Sequence, residues 1–234
     1  MTDNSTKLDG LFGEVPSELI AYFNQIADGS LRDHCEFEVN LLPIDDAVHW
    51  THDFREFHEL VRLLRGVILD DPNTSNHHVY LSAPPCEGAV LFLDHDGDTR
   101  IVFPTLSAFL EAARRSVSEF RDLRSFHPGG GVLISNQDGL NSLIGALYDG
   151  SLEIDGVDAV LALLPSSDLS AVELLQRMSH DEDFYIVEAI GDAVARRPRS
   201  ELESVAAICR DHSHPQASKA GQRAMAAIAA LRRV

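Results

Sequence analysis

Apolar residues recur along this chain at helical spacing in some segments and in strict alternation in others. From Val15 to Gly29, VPSELIAYFNQIADG puts Leu19, Phe23 and Ile26 three and four residues apart. This predicts a helix buried on one face, started by Pro16 and stopped by Gly29. CEFEVNL then alternates Cys35, Phe37, Val39 and Leu41 against Glu36, Glu38 and Asn40, the period of a strand with one wet face. Ile44 to Leu64 carries Val48, Phe54, Phe57, Val61 and Leu64 among charges and reads as helix, with a break expected near Trp50 to Asp53. After the turn-rich DPNTSN (Asp71–Asn76), HHVYLSA is a second strand candidate through Val79 and Leu81.

GAVLFLD and DTRIVF flank Asp96-Gly97, the dipeptide that suits a two-residue type I′ hairpin. TLSAFLEAARRSV follows, with Leu106, Phe109, Leu110, Ala113 and Val117 on one helical face and Thr105 as N-cap. Strand, hairpin and covering helix predict a compact α+β unit with an antiparallel sheet. The pattern stops near Ser125, where SFHPGGGV combines Pro with three glycines and reads as a linker. The expected division is residues 1–125 and 126–234.

Beyond it, short apolar helical runs dominate: Leu140–Tyr148, Val157–Leu164, Leu169–Met178, Phe184–Arg196, Glu201–Arg210 and Ser218–Arg233. Segments opening at Ser179 and Ser213 resemble each other about 35 residues apart. They fit either HEAT-like paired-helix repeats or a plain helical bundle.

Composition narrows the class. Of 234 residues, 44% are hydrophobic and 24% charged, which is ordinary globular usage. Met1 to Gly10 is polar and carries Asp3, Lys7 and Asp9, so no secretory signal is expected. Apolar runs such as Val157 to Leu164 fall far short of the roughly 20 residues that span a bilayer. Cys35, Cys86 and Cys209 are odd in number and lack CxxC spacing, which fits a reducing cytoplasm. The formal charge of −18 opposes nucleic acid and anionic membranes. It serves either solubility alone or the steering of a basic partner.

From about Leu11 to Arg115 these elements resemble the SUKH superfamily of Smi/Knr-like domains. The resemblance is carried by VPSELIAYFNQIADG and by GAVLFLDHDGDTRIVFPTLSAFLEAARR, whose hairpin runs straight into a helix of the form S-x-x-x-F-L, here Thr105 to Leu110. The family's frequent tryptophan ahead of the first helix is missing, and Leu42 to Asn76 shows no family feature. The resemblance implies a binding module rather than an enzyme, many relatives being immunity proteins that neutralise a toxin of the same strain.

The residues suggest no metal or cofactor. DHDGDT alternates Asp94, Asp96 and Asp98, but Gly97 is fourth where an EF-hand needs Gly sixth, and Thr105 occupies the twelfth place. His49, His52 and His58 lack the HExxH arrangement, and His77 and His78 point to opposite faces of a strand. HPGGGV lacks a following GK[ST], and no G-x-S-x-G elbow appears. The expectation is therefore an antiparallel α+β domain followed by a helical region. The resemblance implies that it binds a protein partner, a basic toxin domain, and the acidic groups available for this are Asp45 and Asp46 on one segment and Asp94, Asp96 and Asp98 on the hairpin, with Asp70-Asp71 and Asp181 to Asp183 as further clusters. The runner-up function is a regulatory or scaffolding module.

Overall fold

The computed structural model describes residues 4–152, 154 and 156–232. The chain divides into two compact units, Met1–Ile134 and Ser135–Val234.

The first unit opens with α1 (Asn4–Leu8) and α2 (Ser17–Gln25), the latter preceded by Pro16 as expected, with Gly29 at φ 72° closing the segment. The alternating CEFEVNL is not a strand. Cys35–Phe37 form a 3₁₀ turn and Glu38 takes the left-handed conformation at φ 57°, so the backbone folds back and His34 pairs with Val39. A single left-handed residue reverses the chain and cancels the alternation that period two implied. Helix α3 (Ile44–Phe57) runs unbroken through Trp50 to Asp53. The interruption comes at His58, extended at ψ 104°, before α4 (Glu59–Leu63).

The sheet is an antiparallel meander of β1 (Val67–Ile68), β2 (His77–Tyr80), β3 (Val90–Leu93) and β4 (Arg100–Phe103). It is covered on both faces, which explains why β2 and β3 are buried at every position. His77 points toward α3, with its ring 4.8 Å from that of Phe54, and Thr51 Oγ1 accepts a hydrogen bond from the Ile68 amide at 3.0 Å. On the other face Tyr80 donates its hydroxyl to Glu18 of α2 at 2.7 Å. His78 there lies 4.9 Å from Phe109 of α5 (Leu106–Glu119), a helix capped by Thr105 Oγ1, which accepts from the Ala108 amide.

The β3–β4 hairpin is present, but its connection is wider than a two-residue type I′ turn. Only Gly97 has positive φ among Asp94 to Thr99, and its amide donates to Asp94 O. A type I′ turn needs both central residues left-handed, and here the Asp94 and Thr99 side chains hold the larger loop instead.

The unit ends later than 125. A 3₁₀ turn at Leu123–Phe126 buries Leu123, and the His127 ring packs against Phe92 and Phe103 at 4.8 and 5.5 Å. The stretch read as linker is, in its first part, core.

The second unit contains α6 (Gln137–Tyr148), α7 (Gly156–Leu163), α8 (Val172–Met178), α9 (Phe184–Arg196), α10 (Glu203–Arg210) and α11 (Pro215–Leu231). They form three consecutive helix pairs. The polar links between pairs span a nearly constant sequence distance: 28 residues from Asp149 to Arg177, 29 from Asn141 to Ser170, 30 from Ser179 to Cys209 and 31 from Asp192 to Arg223. A fixed offset means that successive pairs stack in the same register. Helices α9 and α11 approach closely at Gly191, where a built Cβ would lie 2.8 Å from Ala220, and α10 and α11 at Gly221, where one would lie 2.1 Å from the Arg210 amide nitrogen. No helix is long and apolar enough to cross a membrane among the described residues.

Candidate functional site

Helix α3 sits on the sheet through Ile44, Ala47 and Thr51. Arg55 is also drawn inward: Nε donates to Gly66 O at 3.0 Å and a terminal nitrogen to Leu11 O at 3.2 Å, while burial lowers its pKa. That leaves the outer face of α3 without its own arginine. Asp45, Asp46, His49, His52, Asp53, Glu56 and Phe57 are exposed there, with Trp50 and Phe54 half-buried beside them. Asp45 pairs with Lys7 at 2.6 Å, and Asp53 lies 3.8 Å from the His49 ring. Asp45 and Asp46 thus stand on the surface as expected, alongside an aromatic row that the sequence reading did not single out as a surface.

The hairpin distributes its three carboxylates unequally. Asp96 and Asp98 face solvent, and Asp98 pairs with Arg100. Asp94 does not: its side chain is 2% exposed, Oδ1 meets Arg124 at 2.6 Å, and Oδ2 accepts from the Asp98 amide at 3.0 Å. It organises the loop internally, which leaves Asp96 and Asp98 as the hairpin's solvent-facing carboxylates. Among the described residues no three His, Cys, Asp or Glu side chains converge as a metal-binding set.

The strongest polar arrangement lies inside the first unit. Asp70 and His78 are buried, and the Asp70 carboxylate accepts from the His78 backbone amide at 2.6 Å and from its Nδ1 at 2.5 Å. His78 Nε2 is 3.0 Å from His127 Nε2. Two imidazole nitrogens at that distance share one hydrogen, one donating and the other accepting. Burial drives the His127 pKa down to about 2, helped by His78, Arg100 and Arg124, so it remains the neutral member. Burial and the Asp70 charge raise Tyr22 well above its ordinary value, keeping its phenol protonated. The row Asp70, His78, His127 fastens the end of the unit to its sheet. Sequence reading missed it because His127 sat in a glycine-rich stretch and Asp70 was read with Asp71 as a surface pair.

The acidic run of the second unit also does local work. Asp183 caps α9 by accepting from the Tyr185 amide at 2.9 Å, and Asp181 accepts from the Asp183 amide at 2.8 Å. Glu182 is exposed and makes no such bond among the described residues.

Comparison of the chain with protein-family models, curated proteins and solved structures gives no match, so its function is argued from these residues.

Proposed function

We propose that the protein is a binding module that neutralises a basic protein partner, of the toxin-immunity kind implied by the SUKH resemblance. The observation that carries this reading is the placement of charge. The first unit holds 22 Asp and Glu against 10 Lys and Arg, a net of −12, and the second 15 against 9, a net of −6. Within the first unit Asp46, Asp53, Glu56 and Asp96 are exposed without an ion pair to Lys or Arg among the described residues. Uncompensated carboxylates on a rigid scaffold steer a cationic surface and oppose anionic ones. The reading places the protein in the cytoplasm, where its three free cysteines stay reduced, and asks for no cofactor, metal, nucleic acid or membrane. A scaffolding role is the second reading, favoured by the three stacked helix pairs and the extended surface that such arrays present.

The test is stopped-flow association with a basic toxin encoded beside this gene. Association should slow at least about tenfold between low and physiological salt, with dissociation changing less. An on-rate indifferent to salt removes the electrostatic mechanism. Asp96→Asn with Asp98→Asn probes the hairpin without disturbing the Asp94–Arg124 pair.

A further inference from the structure

We infer that the aromatic row on α3, formed by Trp50, Phe54 and Phe57, is the docking surface for an arginine-bearing segment of the protein partner; this rests on the binding reading above and names the surface it would use. The three residues are spaced by four and three, so they follow one line along the helix. Trp50 and Phe54 rings are 6.0 Å apart and Phe54 and Phe57 rings 4.9 Å apart. The buried His77 ring supports the first two at 5.7 and 4.8 Å. At the outer end Phe57 is 67% exposed. A lone exposed ring is ordinary surface. This one continues a row anchored in the core, the rigid aromatic composition that concentrates binding energy in protein interfaces.

Charge selects the occupant. Asp46 lies one turn before Trp50, and Asp53 and Glu56 immediately precede Phe54 and Phe57. None of the three pairs with Lys or Arg among the described residues, since Arg55 is turned inward, Lys7 pairs with Asp45 and Arg62 with Glu59. A guanidinium satisfies both features at once, stacking its plane on a ring while its N–H edge donates to a carboxylate. Nucleic acid would meet repulsion here, and a second copy of the chain would bring a charge of −18 against −18.

The chain contains one tryptophan, Trp50, so its fluorescence reports directly on this row. The experiment titrates the full protein with octa-arginine, octa-lysine and octa-glutamate at physiological salt, following both Trp50 emission and binding heat. Octa-arginine should give a saturable change in Trp50, octa-lysine a weaker one and octa-glutamate none. Phe57→Ala leaves the net charge unchanged yet should weaken binding about fivefold or more. Asp53→Asn with Glu56→Gln should weaken it comparably, whereas Asp138→Asn with Glu173→Gln removes the same charge from exposed positions of the second unit and should change it less than about twofold. Wild-type affinity in Phe57→Ala, or equal losses from the two charge-removing pairs, would mean diffuse polycation binding and would overturn the docking surface. Heat without a Trp50 response also overturns it. In each of those outcomes the binding reading is untouched, because that reading fails only if association with the cognate basic partner ignores salt.

Discussion

The two units achieve stability from opposite ends of the range of sequence separation. In the first, polar links join residues 62 apart from Glu18 to Tyr80, 79 apart from Phe37 to Ser116 and 89 apart from Gln25 to Arg114. In the second, inter-pair links stay near 28 to 31. Backbone strain follows the same division. Asp33, Glu38, Arg65, Asn73 and Phe120 have left-handed φ in the first unit, whereas Leu169 is the one such non-glycine residue described in the second. A meander with helices on both faces must bring distant segments together through sharp reversals, and buried polar clasps hold the result. A stack of helix pairs needs close helix approach instead.

The sharpest way to break this contrast is Asp70→Ala. It leaves the His78 amide and Nδ1 buried without their acceptor and should cost the first unit about 3–5 kcal/mol. Hydrogen exchange should show lost protection in β2, β3 and α5 and none in α9 to α11. An equal loss in both units would show that they unfold as one and would end the distinction.

Next in size is Gly221→Ala in the second unit. The added methyl must displace the Cys209–Arg210 backbone, because its nearest atoms are main chain and not a flexible side chain. The expected cost is about 2–3 kcal/mol, read as a lower unfolding midpoint with exchange protection lost in α10 and α11 alone. An unchanged midpoint would mean that the helices slide apart freely there, contrary to a fixed register.

The smallest effect is acid sensitivity confined to the first unit. His127 titrates near 2 when folded and near 6.5 in an unfolded chain, so below about 6.5 the unfolded state binds a proton that the folded state refuses. Its contribution is complete above that pH and falls as pH drops. The loss should reach about 1.4 kcal/mol between about pH 7.5 and 5.5. His127→Gln should lose that part of the slope, though Asp70, His78, Arg100 and Arg124 also face the site. Urea midpoints of wild type and variant across this range provide the check; parallel pH profiles would place the sensitivity elsewhere.

What the sequence showed depended on whether an element was defined locally. Helices α2 and α5, strand β2, the β3–β4 hairpin and Phe184–Arg196 follow from spacing, Pro, Gly and Thr105, all of which act within a few residues. The Cys35–Leu41 alternation misled because one left-handed residue, Glu38, governs that segment. Strand β1 is two residues long and carries no period to detect. The site divides likewise: Asp45, Asp46, Asp96 and Asp98 stand outside as read, but Asp94 was drawn inward by Arg124, 30 positions away. Phe54 and Phe57 were visible as apolar helix positions, yet only the inward turn of Arg55 toward Gly66 reveals their row as an open, acid-flanked surface.

The even spacing of links in the helix pairs has a consequence for inheritance. An in-frame duplication or deletion of a stretch matching the 31 residues between Asp192 and Arg223 returns the chain to equivalent positions in the stack, so neighbouring pairs would still find their partners. The half of the gene encoding the helix pairs can therefore lengthen or shorten by whole modules during evolution. The half encoding the sheet has no equivalent step, because removing any strand strands the rest.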